Sequence, residues 1–293
     1  MKQDNGIYIL GAGGIGTFLS FRFSKANIDH KVITRDNNPS KTKISVIEDG
    51  NKEKLFLDSI NIPSNKIKIL FICTKQYNLL EAILALKDYI MTKTLIIPLL
   101  NGFKHYKTIE DNINSNLVYA TIGGINSSRL EGICTIKTSN LKIEFSGKLL
   151  NEEFDFLSNL FQKLNIDYKF IEDRNFVIWN KLSRLSIVSA LTALSNKNLG
   201  FVKKDKMLNS YLDKMINEIS SLNIKLATGL DKKIITSQID KMPDNLETSL
   251  QRDINSKNIS ELDSLIGDII DFGDKLNCKM VTYKLIYTKL KNK

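Results

Sequence analysis

Apolar residues are distributed in two ways along the chain, and the change comes near residue 170. Before it, short runs dense in Ile, Leu, Val and Phe stop abruptly at polar or glycine-rich stretches, the pattern of buried strands. The first run ends at Leu10 in Gly11-Ala12-Gly13-Gly14-Ile15-Gly16, and a helical pattern over residues 17–26 follows at once. Ile15, Phe18, Leu19, Phe21 and Phe23 make that segment apolar enough to pack on a sheet. Further strands are expected over residues 30–34, 67–73, 94–99 and 117–123, with two short ones, 43–47 and 53–57, around Asp49-Gly50-Asn51. Residues 132–138 and 141–146 read as a hairpin across a polar turn. Helices are expected over 79–89 and 152–164, and a short strand over 168–171 closes this half. After residue 170 the runs lengthen to a 3.6-residue period over 174–196, 204–227, 232–239, 260–277 and 282–291. The pattern predicts an α/β domain, residues 1–170, built as a doubly wound sheet, followed by an all-α domain, residues 171–293; the glycine-rich stretch between first strand and first helix makes the former a Rossmann-type dinucleotide-binding domain.

The glycine stretch supplies the first candidate chemistry. Gly11, Gly13 and Gly16 satisfy G-x-G-x-x-G with a strand before and a helix after, the context this motif requires. Gly11 permits the tight turn, Gly13 the approach of a pyrophosphate, and Gly16 close packing of helix on strand. Ala12, Gly14 and Ile15 complete the loop, whose helix N-terminus offers N–H groups and partial positive charge to phosphates. The second strand ends at Arg35-Asp36, where an acid would favour NAD and an arginine the additional phosphate of NADP. Arg35 comes first, and its guanidinium matches phosphate bidentately, so NADP(H) is the expected cofactor. Lys75 and Asn101 follow strands directly, at the carboxyl ends where ligands bind in open α/β sheets.

Composition narrows the partners. The chain has 293 residues, 42% hydrophobic and 25% charged, enough for full cores and typical of globular proteins. Its net charge of +10 arises from lysines scattered among acids, without the basic stripe that nucleic-acid binding requires. The same field attracts an anionic cofactor and substrate. No apolar run reaches the roughly 18 residues of a membrane helix, and the first residues show no signal-peptide h-region. The expected location is the cytoplasm, with neither membrane nor nucleic acid as partner. Cys73, Cys134, Cys278, His30 and His105 are dispersed, so neither a metal site nor a disulfide framework is indicated.

In the helical half, Trp179-Asn180-Lys181-Leu182 and Ser260-Glu261-Leu262-Asp263 carry no pattern that lifts Lys181 or Glu261 above other surface charges. A family resemblance does. The glycine loop, Arg35, Cys73-Thr74-Lys75-Gln76-Tyr77, Leu100-Asn101-Gly102, Trp179-Asn180-Lys181-Leu182, Leu191-Thr192-Ala193-Leu194, Thr248-Ser249-Leu250-Gln251-Arg252-Asp253 and Glu261-Leu262-Asp263 with Gly267 occur in the order of corresponding ketopantoate reductase motifs. Over almost its whole length the chain resembles that family. The resemblance implies NADPH-dependent reduction of a small anionic 2-keto acid, foremost 2-dehydropantoate to pantoate in pantothenate and coenzyme A biosynthesis, and a possible homodimer. It implies Lys181 as general acid, Asn101 aligning nicotinamide and carbonyl, Lys75 near the cofactor ribose, and Glu261 accepting from a substrate hydroxyl and tuning Lys181. Ser189, Asn198, Thr248 and Ser249 then stand as substrate-binding positions. The family's asparagines one and two turns after the lysine correspond here to Leu185 and Ser189 or their immediate neighbours, which leaves two alternatives open: a related hydroxyacid dehydrogenase, or an NADP(H)-binding sensor with a decayed pocket.

Overall fold

Ile7, Tyr8, Ile9 and Leu10 are all buried and form β1 (Ile7–Leu10), a strand with no solvent face. The computed structural model describes residues 6–35 and 41–293, so Asp36 lies outside the described residues. The chain divides into two units, residues 1–100 with 105–174, and residues 101–104 with 175–293.

In the first unit β1 lies between β2 (Lys31–Ile33) and β5 (Ile67–Ile72), parallel to both. The chain thus turns to one side of β1 and later to the other, creating a switch point at the carboxyl ends of β1 and β5. Beyond β5 come β6 (Ile90–Pro98) and β7 (Asn116–Leu117), again parallel. Beyond β2 come β4 (Asn51–Ile60), β3 (Lys41–Glu48), β9 (Ile133–Ser146) and β10 (Asp167–Phe170), with β8 (Tyr119–Leu130) antiparallel to β9. Side-chain alternation then sorts the core. Ile7 and Ile9 pack with Phe18, Leu19 and Phe23 of α1 (Gly14–Lys25), whereas Tyr8 and Leu10 pack with Leu79 and Ile83 of α2 (Leu79–Leu84) and Ile109 of α3 (Lys104–Asn112). Helices cover both faces, as the near-continuous apolar strands require. On the β9 side α4 (Asn151–Lys163) adds Leu157, Leu160 and Phe161.

Two expectations change here. Residues 132–138 and 141–146 form one strand, β9, and the hairpin is β8–β9 turning at Glu131 and Gly132, both at positive φ. The intervening polar residues mark a register shift, between Gly123 opposite Lys142 and Ile125 opposite Thr138; a bulge absorbs what looked like a turn. In addition, α3 sits where the polar sequence carried little helical pattern.

The second unit is helical. Its first helix, α5 (Arg174–Ser195, whose first residue belongs to the other unit), is buried along most of its length. The expected 204–227 helix is α7 (Lys206–Lys225), started by the Asp205 side chain, which accepts from the Met207 and Leu208 N–H groups at 3.0 and 2.9 Å; a short helix that the pattern did not announce, α6 (Leu199–Lys204), precedes it. Asp231 caps α8 (Lys232–Asp240) and Thr248 caps α9 (Ser249–Asn255) in the same way. After Glu261 the chain enters a π-helical segment (Asp263–Gly267) that continues into α10 (Asp268–Lys275), and α11 (Val281–Lys291) closes the unit.

The glycine loop makes a stability contrast testable. A Cβ on Gly16 would lie 1.8 Å from the Gly11 carbonyl oxygen, whereas nothing lies within 4 Å of one on Gly13. Gly16→Ala is expected to cost about 1–3 kcal/mol in urea denaturation, and Gly13→Ala to stay within about 0.5 kcal/mol.

Candidate active site

In the first unit, the functional candidates gather at the end of β1. Gly11 turns at φ 102° and donates its N–H to the Ile33 carbonyl at 3.0 Å, fixing the loop to β2. The Ala12 carbonyl accepts from Thr17 Oγ1 at 3.1 Å and from Arg129 Nη1, reaching over from β8, at 2.7 Å. Gly13 is the N-cap of α1 with no side-chain cap, and the first turn holds no acid. The helix N-terminus therefore keeps its N–H groups and its partial positive charge for an anion. Two hydroxyls beside the loop, Thr74 Oγ1 and Ser127 Oγ, are buried without a hydrogen-bond partner. Thr74 packs on Gly11 and Ser127 on Gly14. Orphaned buried donors, an open Gly13 and a bare helix N-terminus together suit a ligand rich in acceptor oxygens, as a dinucleotide pyrophosphate is. Lys75 precedes a 3₁₀ turn, Gln76–Asn78, and is half-buried. Arg35 is exposed and donates to Asn78 Oδ1 at 3.3 Å.

In the second unit, three predicted residues meet through hydrogen bonds. Lys181 Nζ donates to Asn101 Oδ1 at 2.9 Å, and Asn101 Nδ2 donates to Glu261 Oε2 at 3.4 Å. A lysine can only donate and a carboxylate can only accept, so the two neighbours together fix which way the amide faces. The parts come from three places: Asn101 from the turn after β6, where Gly102 takes φ 89°, Lys181 from α5, and Glu261 from the bend before the π-helical segment. Aromatic packing ties those places together. Phe103 lies 5.3 Å from Trp179 and 5.2 Å from Phe272, and Trp179 stacks on Phe272 at 5.9 Å. Each such pair adds about 0.5–1.5 kcal/mol beyond its buried area, and this packing explains why residues 101–104 belong with the second unit. Lys104 reinforces it, 2.7 Å from Asp268 and 3.3 Å from Asp271. The extra residue of a π turn re-aims side chains along a helix, and such turns recur at functional sites.

Burial pushes the Lys181 ammonium down to about 8; the Arg184 guanidinium one turn on acts in the same direction, and Glu261 opposes both. An amine at that value still carries its proton at neutral pH and releases it readily, which is what a general acid needs.

Among the remaining predicted substrate residues, Ser189 is buried on α5 with no partner for its hydroxyl. Thr248 is buried, accepts from the Gln251 N–H and meets Thr192 Oγ1 at 3.0 Å. Thr192 follows Lys181 by eleven residues, about three turns plus 20°, so it shares that side of α5. Ser249 opens α9 half-buried. Asn198 stands apart: exposed, it caps α6 by accepting from the Phe201 N–H at 3.0 Å. Sequence reasoning missed Thr74, Ser127 and Arg129, which reach the loop only through strand pairing. It also missed Arg184, whose spacing from Lys181 was readable. Among the described residues no group of three or more His, Cys, Asp or Glu is placed to hold a metal ion, and no helix is long and apolar enough to cross a membrane.

Comparison with known proteins follows the same outline. Residues 7–146 match the family described as ketopantoate reductase PanE/ApbA, and residues 175–293 its C-terminal counterpart. The 2-dehydropantoate 2-reductase of Pyrococcus abyssi is 23% identical, over 98% of this chain and 97% of its own. Two solved structures share the fold across 98% of this chain and 97% of theirs. One is a D-mandelate dehydrogenase with NADH and anilino(oxo)acetate, TM-score 0.84 at 16% identity. The other is a dimeric ketopantoate reductase from Staphylococcus aureus, TM-score 0.79 at 15% identity. With both halves matched, and with a dinucleotide cradle and a lysine–amide–carboxylate chain where the family motifs fall, the chain belongs to the ketopantoate reductase family of oxidoreductases.

Proposed function

We propose that this protein is a cytoplasmic, NADPH-dependent reductase of a small 2-keto acid, with 2-dehydropantoate as substrate and pantoate as product, in the pathway to pantothenate and coenzyme A. The hydrogen-bonded chain Lys181–Asn101–Glu261 carries this reading. The glycine loop, with Thr74 and Ser127 beside it, would hold the pyrophosphate, and Arg35 would meet the phosphate that distinguishes NADP from NAD. Lys75 would add a positive charge near the ribose. Once bound, the nicotinamide supplies the hydride. The chain's own part is positioning and proton delivery. Lys181 gives its proton from Nζ to the substrate carbonyl oxygen as negative charge builds there, which prevents a free alkoxide from forming. Asn101, held by Glu261, keeps Nζ aimed and holds the nicotinamide and carbonyl in line. Glu261 accepts from a substrate hydroxyl. Ser189, with its orphaned hydroxyl, and Thr248 and Ser249 at the start of α9 would bind substrate oxygens. The three cysteines are free, as in a reducing compartment, and the likeness to the dimeric Staphylococcus aureus enzyme supports a homodimer.

A second reading keeps the chemistry and changes the substrate. Leu185 lies one turn after Lys181, where the family resemblance leads one to expect an amide, and an apolar residue there suits a keto acid with an apolar substituent. Turnover of a panel of 2-keto acids with NADPH and with NADH separates the two. The first reading predicts the highest kcat/KM for ketopantoate with NADPH; higher values for another keto acid favour the second.

Three outcomes test the site. Lys181→Ala should lower kcat by about 10²- to 10⁴-fold while NADPH affinity, read by fluorescence titration, stays unchanged. In the reductive direction kcat should be flat below pH about 8 and fall tenfold per unit above it, because the acid must be protonated and Lys181 loses its proton there; the reverse oxidation should rise over the same range. Gly13→Ala, tolerated by the fold, should weaken NADPH by at least about tenfold, because the space it fills is where backbone approaches the pyrophosphate.

A further inference from the structure

Lys181 does not face its substrate as a lone cation. Arg184 follows it by three residues on α5, the spacing at which helix side chains are surface neighbours. Its Nη1 donates to the Asn180 carbonyl at 2.5 Å, and the Asn180 side chain is itself held by Gln238 Nε2 at 2.8 Å. The guanidinium is thus tied to the turn that carries Lys181 and is half-buried, so little motion remains to be frozen when an anion arrives. On the same stretch of helix, the positions one and two turns after Lys181 are Leu185 and Ser189, which offer no amide and no charge. The resemblance leads one to expect amides there. A 2-keto acid brings a carboxylate next to the carbonyl to be reduced, and a planar fork of N–H donors is the side chain best matched to a carboxylate.

We propose, resting on the 2-keto acid reading above, that Arg184 is the carboxylate receptor of this enzyme, taking over the orienting work that amide side chains at the Leu185 and Ser189 positions would otherwise do. Two consequences follow. The substrate must carry an anion beside its carbonyl, so ketones, aldehydes and keto amides of the same size are poor substrates. The charged groups coupled to Lys181 are Arg184 on its own helix and Glu261 from the π-helical side. Neutralising Arg184 therefore raises the proton affinity of Lys181 and moves the alkaline limb of the rate profile upward.

The test compares binding of oxamate, an unreactive 2-oxo acid analogue, with binding of neutral oxamide. Both are measured by calorimetry on the NADP-loaded protein and on its Arg184→Gln and Arg184→Lys variants. Arg184→Gln is expected to weaken oxamate by about 10- to 100-fold, the scale of one charged hydrogen-bonded contact, and to leave oxamide unchanged. Arg184→Lys should recover part of the loss, since it restores the charge but not the fork. Equal weakening of both ligands would mean that the variant has only damaged the fold, and would overturn the proposal. So would unaltered oxamate binding in Arg184→Gln, or absence of oxamate binding to the unaltered protein. The outcome is separable from the reductase reading. Reductase turnover without the oxamate–oxamide contrast removes Arg184 alone, whereas the contrast without any 2-keto acid turnover leaves Arg184 as an anion receptor and removes the activity.

Discussion

An ammonium that is half-buried has to be held by acceptors or give up its proton, and the helical unit is arranged around that constraint. Lys181 is half-buried on α5, a helix buried along most of its length. Its partner is a neutral amide rather than a carboxylate, so Nζ is oriented without the strong pairing that would raise its proton affinity. The carboxylate, Glu261, stands one residue further along the chain of contacts and fixes the amide. Placed directly on Nζ, Glu261 would have made Lys181 a structural ion pair. With Asn101 between them the carboxylate fixes the amide without pairing directly with Nζ, which in the proposed function leaves the Lys181 proton available for transfer.

That arrangement needs three distant segments to meet within hydrogen-bonding tolerance, and apolar packing supplies the tolerance. Phe103, Trp179 and Phe272 each belong to a segment that carries, or follows, one of the three polar residues. The first unit answers a different demand. Its glycine loop is rigid where Gly16 packs on Gly11, and open where Gly13 faces nothing. Rigidity there comes from backbone crowding, and openness from the absence of any side chain.

The central strands were legible because they are buried on both faces: Ile7–Leu10 is buried throughout and Ile67–Ile72 at every position but Lys68. The loop was legible because glycine spacing encodes its geometry directly. Arg129 and Ser127 were not, since they arrive through pairing of β8 with β9, and register cannot be read from one strand. The bulge in that pair also disguised β9 as two strands. Asp205 was one polar residue in a helical run, and only its two bonds to backbone N–H groups reveal a cap. Lys181 and Glu261 could be named only by resemblance, because a surface-like lysine and a helix-start acid look the same whether or not Asn101 lies between them. Once the three are joined, Arg184 acquires a meaning that spacing alone had not suggested.

The central claim is that Lys181, Asn101 and Glu261 act as one unit, with Glu261 working on the proton through Asn101. A double-mutant cycle on kcat for reduction, using Asn101→Ala, Glu261→Gln and the pair, tests it most directly. If the chain of contacts operates as described, removing Glu261 after Asn101 is gone costs little more, and the double variant falls well short of the product of the two single losses. Single losses that multiply in full would show that the two residues act independently, and would contradict the account.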